Sequence, residues 1–146
     1  MIALVQRVAR AAVSVAGERI GAIGAGLLVF VCAEPADDEA IADRLVERLL
    51  RLRVFSDAAG KMNRSLVDVG GGLLVVSQFT LAAELSGGNR PSFSGAAPAA
   101  QARALYERVL AVARAKYPVV AAGVFGAEMQ VELVNDGPVT IPLTLR

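Results

Sequence analysis

Two apolar blocks of nearly the same sequence constrain the fold of this chain more than any other feature. One block reads Gly24-Ala-Gly-Leu-Leu-Val and the other reads Gly70-Gly-Gly-Leu-Leu-Val, and 46 positions separate their first residues. Short continuous apolar runs bounded by glycine are typical of buried strands. Each run is followed, after a loop, by a segment with helical periodicity. The pattern therefore predicts a faint β-α repeat and an α/β sheet.

Two helices are predicted, one after each block. The first spans about residues 37–52, because acidic residues open it, arginines close it, and apolar residues recur at helical spacing between them. The acidic triplet at 37–39 could bind a divalent ion, but the start of a helix explains it fully. The second helix starts near Pro98, a favourable first-turn residue, and ends before Pro118.

Strand patterns fill the two ends of the chain. Residues 2–20 predict short strands joined by a tight turn at Gly17. Three more strands are predicted at residues 119–124, 129–134 and 139–145. A turn at Asn135-Asp-Gly-Pro is predicted between the last two. We therefore expect one domain over residues 1–146, an α/β fold with a mixed sheet or partial barrel, two main helices and terminal β-hairpins.

The composition excludes several kinds of active site. The chain has no histidine, so it has no Ser-His-Asp or Cys-His triad, no histidine base and no histidine metal ligand. Its single cysteine, Cys32, excludes an intrachain disulfide and lies in an apolar run, where it is predicted to be a core residue. The glycine-rich segments lack the spacing of a dinucleotide or phosphate-loop motif. We expect no metal ion and no cofactor.

Charge and hydropathy predict where the protein works. Fifteen basic and fourteen acidic side chains give a net charge of +1, which argues against a protein that coats nucleic acid and predicts no DNA partner. The longest apolar run, residues 20–33, is too short to cross a bilayer, and arginines interrupt any candidate signal sequence. Together with the single cysteine, this predicts a cytoplasmic protein that does not bind membranes.

Three polar segments are candidate sites. Residues 77–80, Ser-Gln-Phe-Thr, follow the second buried strand, where ligands of α/β sheets bind, although a strand end that turns polar explains them as well. Gly137 before Pro138 allows a cis bond and an open backbone, although a plain turn is the default. The loop 87–93 carries Arg90, a possible phosphate ligand or an ordinary surface arginine.

These segments together resemble the D-aminoacyl-tRNA deacylases. The likeness runs along nearly the whole chain, and several independent motifs occur in the right order. They are Val5-Gln-Arg-Val, Gly60-Lys-Met-Asn, Leu74-Val-Val-Ser-Gln-Phe-Thr-Leu, Arg90-Pro-Ser-Phe-Ser-Gly-Ala-Ala-Pro, Phe125-Gly-Ala, Met129-Gln-Val and Val134-Asn-Asp-Gly-Pro-Val-Thr. The resemblance implies a cytoplasmic homodimer, with its sites at the subunit interface, that binds the 3′ end of aminoacyl-tRNA. It implies hydrolysis of the ester that joins a D-amino acid, or glycine wrongly attached to alanine tRNA, to the terminal ribose.

The resemblance also assigns roles to residues. It implies that Gly137 and Pro138 form a cis pair that enters the partner's site and leaves no room for the side chain of an L-amino acid. Arg7 would brace that pair. Two further groups would form the pocket: Ser77, Gln78, Phe79 and Thr80 would line the catalytic region, and Phe125 and Met129 would hold the adenine.

The absence of histidine shapes the predicted chemistry. No histidine can activate Ser77 or Thr80, whereas the ribose 2′-hydroxyl lies beside the ester and can help to activate or orient water. We therefore expect backbone donors around Phe79 and Thr80 to stabilise the oxyanion. Two other classes remain open. One is a different ester or thioester hydrolase with Thr80 as nucleophile, and the other is a non-catalytic dimer that binds an RNA 3′ end.

Overall fold

The computed structural model describes residues 1–146 and contains eight strands, three α-helices and one 3₁₀ helix. The strands are β1 (Ile2–Val15), β2 (Glu18–Ile23), β3 (Gly26–Cys32), β4 (Phe55–Ser56), β5 (Met62–Arg64), β6 (Gly72–Ser77), β7 (Val120–Ala122) and β8 (Gln130–Thr144). The helices are α1 (Glu39–Arg51), α2 (Leu66–Val69) and α3 (Ala99–Lys116), and the 3₁₀ helix spans Phe79–Ala82. None of these helices combines the length and the apolar character needed to span a bilayer.

Six of the eight strands, all except β4 and β5, form one mixed sheet, as predicted. Strand β1 pairs antiparallel with β3 through its first half and with β2 through its second half, while β8 pairs along its other edge. Strands β3, β6 and β7 are parallel neighbours. Strand β2 also approaches β7, since a Cβ built on Gly21 would lie 2.8 Å from the carbonyl oxygen of Ala122. The sheet is therefore nearly closed into a barrel.

The two glycine-led blocks form the parallel pair at the centre of this sheet. Gly26 of β3 lies opposite Gly72 of β6 in the register. A Cβ on Gly26 would overlap the carbonyl oxygen of Gly72 and lie 2.6 Å from its nitrogen. A Cβ on Gly72 would lie 2.7 Å from side-chain atoms of Ile23. The repeat therefore marks a close backbone approach that only glycine allows.

Side chains from the central strands alternate between two cores. Leu27, Val29, Leu73 and Val75 belong to a large cluster with residues of α1 and α3, whereas Leu28, Leu74 and Val76 belong to a smaller cluster on the other face, inside the barrel. This alternation follows from the period of two residues along a strand. Because both faces are covered, the strands read as continuous apolar runs rather than as alternating ones.

Both main helices lie where the sequence places them. Helix α1 begins after Asp38, whose carboxylate accepts a hydrogen bond from the Ile41 nitrogen at 2.9 Å. Asp37, part of the same acidic triplet, is buried and accepts a 2.7 Å hydrogen bond from the amino group of Met1. Helix α3 runs from Ala99 to Lys116. The triplet therefore has structural roles at the start of α1.

The predicted C-terminal hairpin is wrong. Residues 130–144 form one continuous strand, β8, because the segments before and after the predicted turn both pair with β1. Gln6 lies opposite Thr140 and Val8 lies opposite Asn135, so four residues of β8 face the single residue Arg7. We call residues 136–139 the β8 bulge.

The start of the chain also differs from the prediction. The short strands predicted before Gly17 are one long strand, β1, which forms an N-terminal hairpin with β2.

Candidate functional site

A cavity of about 580 Å³ opens where the carboxyl ends of β3 and β6 meet the start of α3. Cys32 and Ser77 end the two strands and line the cavity from one side. Ala97 and Tyr106 line it from the region of α3, and residues 125–129, which connect β7 to β8, complete the wall. Most of the lining is apolar. The cavity is therefore shaped to enclose a largely uncharged group, as small-molecule sites usually are.

The predicted segment 77–80 lies at this cavity, although its members differ in position. Ser77, Gln78 and Phe79 line the cavity, while Thr80 does not. Thr80 is exposed, and its hydroxyl accepts a 2.6 Å hydrogen bond from the Gln78 amide. The backbone N–H groups of Phe79 and Thr80 begin the 3₁₀ helix and have no acceptor within the chain. These first-turn donors can bind a partial negative charge.

Aromatic rings border the cavity on two sides. Phe79 is 56% exposed and meets Phe93 edge to face, with ring centroids 5.0 Å apart. On the other side Phe125 packs near Tyr106, with centroids 6.0 Å apart, and the Arg103 guanidinium lies 4.8 Å from the Phe125 ring centroid. A planar base could stack between or against such rings. Of these residues, sequence reasoning identified only Phe79 and Phe125 as site residues.

Tyr106 and Cys32 are the side chains with a titratable hydroxyl or thiol in the lining. The Tyr106 hydroxyl lies 3.0 Å from the carbonyl oxygen of Val75 and 3.2 Å from that of Gly123, and burial raises the pKa of Tyr106 to about 12. Burial also raises the pKa of the Cys32 thiol. Both groups therefore stay protonated near neutral pH, and neither supplies an anionic base or nucleophile there.

Met129 belongs to the wall of the cavity. It lines the cavity together with Phe125, and its sulfur would lie 2.7 Å from a Cβ built on Gly123. Gly123 therefore leaves space that the methionine side chain uses. The sequence offered no signal for this contact, because Gly123 and Met129 are separated by a loop whose course depends on the whole fold.

A second cluster surrounds the β8 bulge. The Arg7 side chain is 13% exposed and donates hydrogen bonds to the carbonyl oxygen of Asp136 at 2.8 Å and to that of Val54 at 2.7 Å. A Cβ built on Gly137 would lie 3.3 Å from an Arg7 nitrogen. The peptide bond between Gly137 and Pro138 is cis, and both residues are exposed. Through the hydrogen bond to Asp136, Arg7 of β1 holds the backbone of the β8 bulge in place.

Asn135 closes the base of the same bulge. Its side-chain oxygen accepts a 2.8 Å hydrogen bond from the Val139 nitrogen, and its amide nitrogen donates to Val139 and Thr140 at 3.2 and 2.9 Å. Asparagine commonly bonds to nearby backbone in this way. Asn135 is therefore visible in the sequence as a residue that bonds to nearby backbone, but the residue types alone do not distinguish a turn from a bulge.

The two clusters are separate within one chain. Arg7, Gly137 and Pro138 are absent from the lining of the cavity. Arg90, in the third candidate segment, is exposed and has no acidic partner within 4.0 Å, while Phe93 of the same loop lines the cavity. The predicted site residues therefore form a cavity group and a bulge group.

Comparison with known proteins shows the family to which this chain belongs. The family described as D-Tyr-tRNA(Tyr) deacylase matches residues 4–144. A D-aminoacyl-tRNA deacylase of Methylibium petroleiphilum is 72% identical over 99% of this chain and 95% of its own length. The protein of the same description from Variovorax paradoxus is 65% identical over 99% of both chains.

Solved structures show the same fold. One, described as c-Myc DNA Unwinding Element Binding Protein, is 43% identical with a TM-score of 0.95 and covers 100% of this chain and 99% of its own. Another, described as a "probable eukaryotic D-amino acid tRNA deacylase", has a TM-score of 0.83 over 97% of both chains, and its 17% identity supports the fold alone. The family match and the close relatives confirm the resemblance inferred from the motifs, and they show an enzyme, a hydrolase that acts on aminoacyl-tRNA. This chain belongs to the D-Tyr-tRNA(Tyr) deacylase family.

Proposed function

We propose that this protein removes D-amino acids, and glycine wrongly attached to alanine tRNA, from the 3′ end of tRNA in the cytoplasm, while it leaves L-aminoacyl-tRNA intact. The observation that carries the proposal is the apolar cavity beside the first-turn N–H groups of Phe79 and Thr80. Such a site can hold an ester and stabilise its oxyanion without a charged side chain.

The complete site is proposed to form between two copies of the chain. The bulge residues Gly137 and Pro138 are exposed and held in place by Arg7 and Asn135, yet they do not reach the cavity of their own chain. Strand β8 pairs only with β1, so its outer edge is free. Exposed strand edges and apolar side chains favour association with a second chain. In the dimer we expect the bulge of each chain to enter the partner's cavity.

The bulge would select substrates by their backbone rather than by their side chains. A wall of main-chain atoms set against the position of an L side chain excludes it by steric clash. Glycine has no side chain and a D residue directs its side chain the other way, so both are accepted. A backbone wall also reads no particular side chain, which suits an enzyme that acts on many D-amino acids.

The chemistry is proposed to rely on the substrate. The 2′-hydroxyl of the terminal ribose lies beside the ester and would help to activate or orient water, because the pKa values of Cys32 and Tyr106 keep the nearby thiol and hydroxyl protonated. The N–H groups of Phe79 and Thr80 would bind the oxyanion as it forms. Phe125 and Met129 would hold the adenine against the far wall of the cavity.

Two alternatives are weaker on this geometry. Covalent attack by Thr80 needs an adjacent base, but its hydroxyl only accepts a hydrogen bond from the Gln78 amide. An acyl group trapped on Thr80 would favour that mechanism, or a different ester or thioester hydrolase. A dimer that only binds an RNA 3′ end would hold tRNA tightly without any hydrolysis.

The proposal predicts hydrolysis of D-tyrosyl-tRNA and not of L-tyrosyl-tRNA by the purified protein. We expect a preference of at least about 100-fold for the D-ester, because one steric clash of about 3 kcal/mol already gives that ratio. A Thr80→Ala variant, assayed in parallel, should retain turnover if Thr80 only positions Gln78. Equal hydrolysis of both esters, or of neither, would contradict the proposal.

Replacing Gly137 with valine is expected to weaken chiral selection. The φ angle of Gly137 is +147°, a conformation that L side chains rarely adopt, and its Cβ would lie 2.8 Å from the Val139 nitrogen. The bulge must therefore shift, and we expect the D/L preference to fall by about tenfold or more, corresponding to about 1.4 kcal/mol. The ratio of kcat/KM for matched D- and L-tyrosyl-tRNA measures it. Gly87→Val, in an exposed loop with nothing within 4 Å of the new Cβ, is the control; equal ratios in the two variants would refute the role of Gly137.

A further inference from the structure

A groove of about 460 Å³ lies along α1, away from the candidate cavity. Its lining is mostly charged, and four arginines dominate it. The lining residues are Arg44, Glu47, Arg48, Arg51, Leu52, Arg53 and Leu145. We call this feature the arginine groove, and we propose that it binds phosphates of the tRNA whose 3′ end enters the cavity. The inference rests on the proposed function and adds a second contact surface for the same substrate.

The acidic side chains of α1 do not neutralise this groove. Glu39, Asp43 and Glu47 recur every four residues and therefore share one face of the helix. Arg108 of α3 donates two 2.7 Å hydrogen bonds to Asp43, and Lys116 of α3 binds Glu47 at 2.8 Å. Glu47 also lines the groove, but its carboxylate is already paired, and this pairing lowers its pKa. The acidic face of α1 is thus matched by cations from α3.

The arginines of α1 form a separate stripe that makes no ion pair with an Asp or Glu side chain. Arg44, Arg48 and Arg51 are spaced by four and three residues, and all are exposed. None of them, nor Arg53, has an Asp or Glu carboxylate within 4.0 Å. Arg44 donates at 3.4 Å to an oxygen of Arg146, and Arg53 donates to the backbone and side-chain oxygens of Asn63 at 3.0 and 2.7 Å. Arg48 and Arg51 also donate no side-chain hydrogen bond within the chain, so their guanidinium groups are available to a ligand. Four like charges in one groove favour an anion, and planar guanidinium groups match phosphate oxygens.

One side chain links the arginine groove to the β8 bulge. Arg53 is followed by Val54, whose carbonyl oxygen accepts the 2.7 Å hydrogen bond from Arg7. The same Arg7 donates to Asp136 at 2.8 Å, next to Gly137. The groove therefore lies beside the segment that we place in the partner's cavity. If the bulge enters the partner's cavity as proposed, we expect the arginine groove to border the partner's site, on the path of a tRNA bound by its 3′ end.

The charge of the groove favours a chain of phosphates over a single one. Its stripe from Arg44 to Arg51 spans about two helical turns, or ~10 Å, which exceeds what one phosphate can contact. The cavity itself is mostly apolar, and the loop before Arg90, residues 81–89, contains no lysine or arginine. The attraction that tRNA phosphates need must therefore come largely from elsewhere on the surface, and the arginine groove supplies it.

The test compares a tRNA substrate with one that lacks phosphate. In an Arg48→Ala/Arg51→Ala variant we expect KM for D-tyrosyl-tRNA to rise about tenfold with kcat unchanged, and the slope of log KM against log salt to fall by about two. Hydrolysis of 3′-O-D-tyrosyl-adenosine, which has the ester but no phosphate, should be unchanged. The Arg48→Lys/Arg51→Lys variant keeps the charge and should recover most of the affinity.

A charge-matched control separates a specific groove from overall electrostatics. Arg19→Ala/Arg114→Ala removes the same charge from other surfaces and should leave KM for D-tyrosyl-tRNA near the wild-type value. An equal rise in KM in this control, no rise in the groove variant, or a matching loss on 3′-O-D-tyrosyl-adenosine would each overturn the proposal.

Binding of deacylated tRNA keeps this test independent of catalysis. The groove variant should bind deacylated tRNA about tenfold more weakly than wild type in a filter-binding assay. If the wild type hydrolyses neither D-tyrosyl-tRNA nor 3′-O-D-tyrosyl-adenosine, the proposed function fails. The binding assay still decides whether the arginine groove binds tRNA. Competition by a DNA duplex as strong as competition by tRNA would identify a general polyanion surface and would also overturn the assignment.

Discussion

A D-tyrosyl-tRNA that ends in 2′-deoxyadenosine is expected to be hydrolysed at least about 100-fold more slowly than the same substrate with a ribose, the usual size of a general acid-base contribution. The chain has no histidine, and burial raises the pKa values of Cys32 and Tyr106, so the cavity offers no side chain that readily takes a proton near pH 7. In the proposed mechanism the 2′-hydroxyl is then the group that assists the attacking water.

The measurement is a single-turnover rate with the D-tyrosyl group on the 3′-oxygen of both substrates. The uncatalysed rate of each ester must be subtracted, because the 2′-hydroxyl also affects hydrolysis in buffer. Binding of the deoxy substrate should remain close to that of the ribose form, which places the effect in the chemical step. An undiminished rate with the deoxy substrate would show that a protein group activates the water, and Thr80 would be the first residue to reconsider.

The largest expected effect on stability comes from Gly26→Ala. The added Cβ would overlap the carbonyl oxygen of Gly72 in the neighbouring strand, and a backbone atom cannot move aside as a side chain can. Strands β3 and β6 would have to separate at the centre of the sheet. We expect a loss of about 3 kcal/mol or more in the free energy of unfolding, at the upper end of overpacking effects.

Gly24 provides a matched control two residues earlier. A Cβ on Gly24 has nothing within 4 Å, so Gly24→Ala should change the free energy of unfolding by no more than about 0.5 kcal/mol. Urea unfolding of the two variants and the wild type gives the comparison directly. Similar midpoints for Gly26→Ala and wild type would mean that the two strands tolerate a wider separation than their register indicates.

The helices and central strands could be predicted because their signals are local. Helix α1 occupies 39–51 within the predicted 37–52, since its acidic start, basic end and apolar stripe all lie within the element itself. The paired glycines were also visible as a repeat. The structural reason for the repeat could not be predicted, because the contact of Gly26 with Gly72 depends on the parallel register of two distant segments.

The candidate site was predictable only where polar residues end a strand. Ser77, Gln78 and Phe79, at the end of β6, line the cavity. Phe125 and Met129 also line it, but only the family resemblance singled them out. Tyr106 was missed because a tyrosine at a helical spacing resembles any other core residue. The hairpin error at Asn135 has a related cause. Turn residues signal a break in the strand, but only the shared pairing with β1 decides whether the chain reverses or bulges.

If the bulge selects the substrate as proposed, the pairing of β1 couples that selection to the integrity of the sheet. Strand β1 holds β8, with the bulge, along one edge, and holds β3, which carries part of the cavity wall, along the other. A change that shifts β1 along the sheet moves both the bulge and the cavity wall of its own chain. In the proposed dimer these two parts belong to two different sites. Substitutions deep in the barrel, far from any substrate atom, are therefore expected to produce proofreading errors before they unfold the protein.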